Sequence, residues 1–422
     1  MQRCYWTDDV SLPAPPDATL PASVDVLIVG AGYTGLSAAR ETARAGRSTL
    51  VLDRGAVGSG CSGMNGGQVA YSFKPSFDTL VSRHGRELGE RVAVEARHAV
   101  ENLRRLATEE ALDCDWQPRG TFVGAHTPKH FAALAREAES QPAPIAQRIS
   151  VVSRADVHRE VASDLYHGGY VLHDDASVHP AKLVNALYRR AVDAGAVVQD
   201  HCEVLGIART REGFEVRTAR GTVRARRVLV ATNGYTGPAL PWHRRRVIPI
   251  GSYQIATEDI GAERVRQVIP QLRNVGDTRR VIIYLRPSPD GRRILFGGRA
   301  ALKESNAALV RPRLVQMMTE VFPSLAGVEA THAWVGFVAF TFDTMPHLGA
   351  DNGLYYCLGY CGQGVPTATY FGMRIGQQMA DLTEGRTALD GLAFPSRPLY
   401  YGNPWFLAPS IFAYRALDRL GL

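Results

Sequence analysis

Hydrophobic positions along this chain follow three different patterns. Val26, Leu27, Ile28 and Val29 form an unbroken apolar run, and residues 48–52, apolar at Leu50, Val51 and Leu52, form a second buried strand that ends at Asp53. Between them, residues 36–45 are apolar at helical spacing. Short unbroken runs suit strands buried on both faces of a parallel sheet, so 24–55 reads as a βαβ unit. Residues 76–110 and 128–139 are charged, with a helical apolar stripe (Val92, Val94, Ala99, Leu103, Leu106), and read as amphipathic helices outside that unit. Residues 114–125, with Trp116 and Thr121-Phe122-Val123, suggest a short strand pair. A helix at 181–194, strands at 196–198 and 203–207, a hairpin of 214–218 and 222–225, and a buried strand from 227 bring the chain back to the first sheet. From 247 to 332 the pattern turns antiparallel. Strands at 248–257, 281–286 and 293–298 are separated by turns such as Pro289-Asp290-Gly291, and a helix at 308–321 covers them. Such a layer could roof a pocket. A strand at 354–358, a glycine turn and a helix to about 382 follow. The aromatic, apolar segment 404–422, interspersed with Arg415, Asp418 and Arg419, reads as a surface helix packed on the body.

The glycines between the first two apolar runs give the pattern a chemistry. Gly30, Gly32 and Gly35 make G-x-G-x-x-G, flanked by Tyr33 and Thr34 at the start of the helix. Gly30 makes the tight turn, Gly32 lets backbone approach a pyrophosphate, and Gly35 lets helix and strand pack closely. The helix N-terminus presents unpaired N–H groups and a positive dipole end to phosphates. Asp53 can accept the hydrogen bonds of a ribose diol, and its charge disfavours a 2′-phosphate. After Arg54 comes a loop of glycines with Ser59, Cys61, Ser62, Met64, Asn65, Gly66, Gly67 and Gln68, too poor in apolar surface to be core. A nicotinamide dehydrogenase needs no such loop here, whereas an extended FAD runs past it to its ring. Val204 could offer its backbone to an adenine edge. Ala231 and Thr232 begin a small polar turn. Gly359, Gly362, Gln363, Gly364 and Val365 form a second glycine turn, with Pro366 in the first turn of the next helix. That N-terminus could face the N1–C2=O region of a flavin and stabilise its anionic reduced form.

Composition narrows the picture further. A chain of 422 residues with 45% hydrophobic and 21% charged residues is ordinary for one large two-lobed protein or two packed domains. The net charge of +7 is dispersed. Its densest cluster, His243-Arg244-Arg245-Arg246, lacks the aromatic interleaving of a nucleic-acid surface. Six scattered cysteines show no metal-ligand spacing and read as reduced thiols of a cytoplasmic protein. The N-terminus lacks a signal-peptide core, and no apolar run approaches membrane-spanning length.

These pieces together resemble the D-amino-acid-oxidase-like family of FAD enzymes (glycine oxidase, sarcosine oxidase), and within it the γ-glutamylputrescine-oxidising branch. The likeness spans nearly the whole chain. It is carried by the Tyr5-Trp6 start, the fingerprint, Ser62-Gly63 with Asn65-Gly66-Gly67-Gln68, and Ile294-Leu295-Phe296-Gly297-Gly298. Also matched are Ala333-Trp334-x-Gly336, Pro346-x-x-Gly349, Gly362-x-Gly364-Val365 and the closing Leu417-Asp418-Arg419-Leu420-Gly421. The resemblance implies an α/β fold: a Rossmann-type FAD-binding domain with an inserted α+β substrate domain built on an antiparallel sheet. The expected division is 1–75, 151–240 and 336–395 for FAD, 76–150 and 241–335 for substrate, and 396–422 as a tail. It also implies oxidation of a C–H next to nitrogen, with oxygen or another acceptor taking the electrons; oligomeric state is left open.

Two departures bear on substrate. Met64 stands where the γ-glutamylputrescine branch carries a basic residue. Phe337-Val338-Ala339-Phe340 follows Gly336, where amino-acid oxidases of the family place an arginine for the substrate α-carboxylate. An apolar stretch cannot replace a bidentate, charge-assisted clamp. The expected substrate is therefore a small amine or N-substituted amine without an α-carboxylate, bound beside non-covalent FAD. An amino-acid or N-methyl-amine oxidase is the alternative. Gln68, Tyr253, Tyr360 and Gln363 are expected to line the pocket around the ring, with Arg286, and next Arg299, to meet a distal anionic group. His179 and His347, each beside a proline, read as turn residues.

Overall fold

A computed structural model describes residues 3–301 and 304–420; Gly421 of the closing motif lies outside them. Ser23–Val29 is the centre of the first sheet. It pairs in parallel with Thr49–Leu52 on one side and Gly221–Val230 on the other. Val197–Gln199 and Leu354–Leu358 extend the parallel set outward. Leu27, Ile28, Leu50 and Val51 are completely buried, as unbroken apolar runs covered on both faces must be. Antiparallel His347–Asp351 closes one edge, and the hairpin Val204–Arg209 with Phe214–Thr218 joins Gly221–Val230. The crossover helix Tyr33–Arg44 packs on Gly364–Met379. Their closeness depends on Gly372 and Gly376: a Cβ there would lie 2.5 Å from Thr34 O and 2.7 Å from Ala38 O.

The second sheet runs Ala330–Phe340, Ile248–Thr257, Ile294–Gly298, Ile283–Pro287, Asn274–Asp277, Thr121–Gly124, Gly169–Leu172, Ile149–Val152. It is antiparallel except where Asn274–Asp277 runs parallel to Thr121–Gly124. One face is sealed by the helix Ala307–Val321, whose Leu314 and Met318 are fully buried. The opposite face looks toward the first sheet.

Two boundaries and one strand pairing differ from the sequence reading. Ile149–Val152 and Gly169–Leu172 pair into the second sheet, so the chain rejoins the first only at Pro180–Asp193 and Val197–Gln199, not at 151. Ala330–Phe340 runs straight through the expected boundary at 336. Residues 114–125 hold the single strand Thr121–Gly124, because its partners come from 169–172 and 274–277 rather than from its neighbours. Non-local pairing of this kind leaves no trace in local pattern.

Candidate active site

The fingerprint forms one end of the site. Gly30 has φ +113°, and a Cβ on it would sit 2.7 Å from Ala231 O; a Cβ on Gly35 would sit 1.8 Å from Gly30 O. Only glycines allow the helix to start this close to two strand ends. The helix Tyr33–Arg44 has no N-cap side-chain bond and no acidic residue in its first turn. Its Tyr33 N–H donates to Ser62 Oγ at 3.1 Å. Asp53 Oδ2 accepts from Ala31 N–H (2.7 Å) and Oδ1 from Gly55 N–H (3.0 Å). Burial raises its carboxyl above the usual range while these two bonds pull it back. Each oxygen keeps a further lone pair for a diol.

The loop after Asp53 is held rigid by donors from three distant segments. Trp334 Nε1 (3.0 Å) and Gln254 Nε2 (2.7 Å) both donate to Met64 O, and Trp6 Nε1 donates to Asn65 O at 2.8 Å. Asn65 Nδ2 lies within hydrogen-bond reach of Ser62 O, Cys61 O and the Tyr33 hydroxyl (2.8–3.1 Å), and its Oδ1 accepts from Gly67 N–H. A glycine-rich segment would otherwise be mobile; here its carbonyls are spent on side chains anchored in the core. The Tyr5-Trp6 start and the Ala333-Trp334 motif thus share one task.

Between loop and second sheet lies a cavity of ≈1090 Å³. Its roof follows the period-two alternation of the strands. Gln254 pairs with Gly297 and Trp334, and Gly297 with Tyr284, so these residues share the cavity face. Gly297 leaves room for the Tyr284 ring, which a Cβ would meet at 2.3 Å. Tyr284 OH and Ser252 Oγ are 2.6 Å apart on this roof. The turn after Leu354–Leu358 forms the floor, with Gly362, Gln363, Gly364 and Val365 on the cavity. The helix Gly364–Met379 also lacks a side-chain cap and an acidic first turn.

The cavity gathers most of the residues expected from sequence. Gly30, Gly32, Tyr33, Thr34, Asp53 and Arg54 line it, as do Ser59, Cys61, Ser62, Met64, Asn65, Gly66 and Gln68. Val204, Ala231, Thr232, Tyr360 and Gln363 do as well. Gln68 Nε2 donates to Leu285 O at 3.0 Å, so its oxygen remains available as an acceptor. Tyr360 reaches the cavity, but its hydroxyl is tied to Thr34 Oγ1 (2.5 Å) and Cys357 O (3.1 Å), a link between the two glycine turns.

Five expected residues do not line it. Tyr253 is one position out of phase with Ser252 and Gln254. Its ring is therefore buried on the other face, where its hydroxyl donates to Glu304 Oε2 at 3.0 Å. Arg286 is on the cavity side of the sheet but a row further along, beneath Trp6 (5.6 Å, cation–π). Its Nη1 donates to Val178 O at 2.8 Å, and burial lowers its pKa to about 9. Gly35 and Gly67 serve close packing, with would-be Cβ contacts of 1.8 Å to Gly30 O and 2.2 Å to Val178 O. Gly359 turns at φ +83° and donates its N–H to Asn233 Oδ1.

Other lining residues lay outside the sequence reading. Gln254 and Tyr284 follow from strand alternation once the face is known. Lys74, whose pKa burial lowers, and Asp175 carry no sequence signal of their own. Leu407, Ser410, Ile411 and Tyr414 show that the C-terminal helix Leu407–Leu420 forms part of the cavity wall. Arg415 anchors it to Arg299 O and Ala300 O, and Asp418 accepts from Arg280 and Val281 N–H.

This arrangement fits FAD. Two helix N-termini, neither capped by its own N-cap side chain nor carrying an acid in its first turn, meet one cavity lined by the fingerprint and roofed by Gln254, Ser252 and Tyr284. The first suits a diphosphate and the second an anionic ring edge. Among the described residues no group of His, Cys, Asp and Glu is placed to hold a metal ion, and no helix is long and apolar enough to cross a membrane.

Comparison with known proteins agrees with the geometry. The family model described as FAD dependent oxidoreductase matches residues 25–378. A probable oxidoreductase OrdL of Rhizobium meliloti (strain 1021) is 34% identical over 93% of this chain and 92% of its own. Gamma-glutamylputrescine oxidoreductase of Escherichia coli (strain K12) is 32% identical over 99% of this chain and 98% of its own. Among solved structures, glycine oxidase from Geobacillus kaustophilus superposes with TM-score 0.73 at 20% identity, covering 90% of this chain and 99% of that one.

Proposed function

The chain belongs to the family of FAD dependent oxidoreductases, and from that premise we propose that it oxidises a primary or secondary amine lacking an α-carboxylate. The observation that carries this reading is the stretch after Gly336. Val338, Ala339 and Phe340 line the cavity, and no cation stands among them. FAD held non-covalently by the fingerprint, the 59–68 loop and the 362–365 turn would supply hydride-accepting chemistry toward the carbon next to nitrogen; the imine would be hydrolysed to an aldehyde plus amine or ammonia, and oxygen or another acceptor would take the electrons.

The chain's own residues bind, orient and exclude water. Gln68 Oε1, left free by the bond to Leu285, accepts an amine N–H, while Gln363 and the Tyr284–Ser252 pair give the roof and floor their polar points. The N-terminus of Gly364–Met379, on the cavity, would offer its positive end to charge developing on a bound ring. Cys61 and Cys361 line the cavity, but burial pushes their thiols up to about 12 and about 11, so neither is a thiolate nucleophile.

Likeness to gamma-glutamylputrescine oxidoreductase supports an amine with a carboxylate remote from the reacting nitrogen. Arg299 suits that carboxylate. Arg299 lines the cavity; its Nη1 is held by Gly251 O (2.9 Å) and Glu304 Oε1 (2.7 Å), leaving Nε and Nη2 buried without a partner among the described residues. That edge is a two-donor fork matched to a carboxylate.

The test is anaerobic flavin reduction across amines, polyamine conjugates, N-methyl amines and glycine. The purified protein is expected to be yellow, and its flavin to bleach with amines and conjugates. Bleaching only with glycine or N-methyl amino acids overturns the reading, and Gln68→Ala is expected to slow reduction at saturating amine.

A further inference from the structure

One carboxylate of the cavity wall has no use in the arrangement above. Asp175 is 1% exposed and lines the cavity, yet neither of its oxygens makes a hydrogen bond. The Thr121 hydroxyl and Tyr71 N–H lie near it without reaching bonding geometry. A buried carboxylate without a partner is costly, and a fold gains nothing from it that an asparagine would not give more cheaply.

Its place relative to the rest of the site follows from register. Gln68 pairs with Ser177 and Val69 with Ala176, so the next step along this ladder sets Ala70 against Asp175. Ala70, Thr121 and Tyr170 line the same cavity. The Thr121–Gly124 strand lies two strands from Ile283–Pro287, which carries Tyr284. At the usual strand spacing that is about 10 Å across the roof. Tyr170, within electrostatic reach of Asp175, adds an aromatic ring to this corner. A carboxylate beside an aromatic ring is the chemistry that receives an ammonium group.

We infer that Asp175 binds a second cationic nitrogen of the substrate, on the Thr121 side of the roof about 10 Å from the strand that carries Tyr284. The substrate class is then a diamine, a polyamine or an amine conjugate carrying a second ammonium group. This deepens the amine reading and rests on it for which nitrogen reacts, but the binding step can be measured alone.

The experiment uses the holoenzyme without oxygen and measures affinity by calorimetry and by perturbation of the flavin spectrum. The probes are octane-1,8-diamine, octylamine and mono-N-acetylated octane-1,8-diamine, which keeps the length but not the second charge. The wild type is expected to bind the diamine about 10- to 100-fold more tightly than either monocation. Asp175→Asn should bring that ratio to within about 3-fold while leaving octylamine affinity unchanged. A wild-type ratio near one, or a ratio that survives in Asp175→Asn, overturns the inference. The acetylated probe keeps the test decisive if Asp175→Asn fails to accumulate: binding as tight as the diamine refutes a charge-reading site. If the ratio behaves as expected but no amine bleaches the flavin, the cation site stands and amine oxidation falls.

Discussion

Replacing Asp175 by asparagine is expected to make stability less dependent on pH, and the size of the effect follows from the site. Burial raises the carboxyl from 3.8 to about 7, with Asp174 adding to the rise and the nearby Thr121 hydroxyl and Tyr71 N–H opposing it. A folded-state pKa above the unfolded one means that folding favours the protonated acid. That contribution is whole below pH 3.8 and is lost as pH rises toward 7, after which the cost of the buried charge is constant. The full loss is about 4 kcal/mol, of which about 2–3 kcal/mol falls between pH 5 and pH 8. At about 1 °C per kcal/mol for a chain of 422 residues, the melting temperature of Asp175→Asn minus that of the wild type should widen by about 3 °C over this interval. Thermal melts of amine-free holoenzyme at half-unit steps would show it. Other titrating groups are common to both proteins and cancel in the difference. A gap that stays constant within about 1 °C, or narrows, refutes an unpaired carboxylate at this position.

Gly35→Ala should force the crossover helix off the fingerprint turn, since its Cβ would lie 1.8 Å from Gly30 O. A loss of about 3 kcal/mol or more and a protein that purifies colourless are expected; full flavin content with an unchanged melting temperature would contradict this. Asn65→Asp replaces an amide donor surrounded by Cys61 O and Ser62 O with an acceptor. It should cost about 2–4 kcal/mol and open the loop to protease, which limited proteolysis would report. Arg299→Met should weaken binding of a carboxylate-bearing amine about 10- to 100-fold and leave a simple amine unaffected. Arg286→Met should instead lower the melting temperature without changing amine affinity, because that cation serves Val178 O, Gly67 O and the Trp6 ring. Titration calorimetry and melts on both variants would expose an exchange of these roles.

The fingerprint half of the cavity was legible in the amino-acid sequence. Gly30, Gly32, Gly35 and Asp53 lie within one βαβ unit, so their geometry is set by local constraints that sequence carries directly: φ signs, strand runs and helix period. The loop at 59–68 and the turn at 359–365 were legible for the same reason, as glycines and polar residues that no core could use. The opposite wall of the cavity had no such local signal, because it is assembled from strands far apart in the chain. A shift of one residue in phase sends Tyr253 away from the cavity and Gln254 into it, and Ile248–Thr257 is apolar enough on both faces to hide that phase. Arg286 and Arg299 look alike in sequence, each near a strand end. Trp6, arriving from the N-terminus, covers one and leaves the other facing the cavity. Asp175 and the C-terminal helix reach the site only through pairings and contacts that span much of the chain, and no local pattern encodes contacts of that kind.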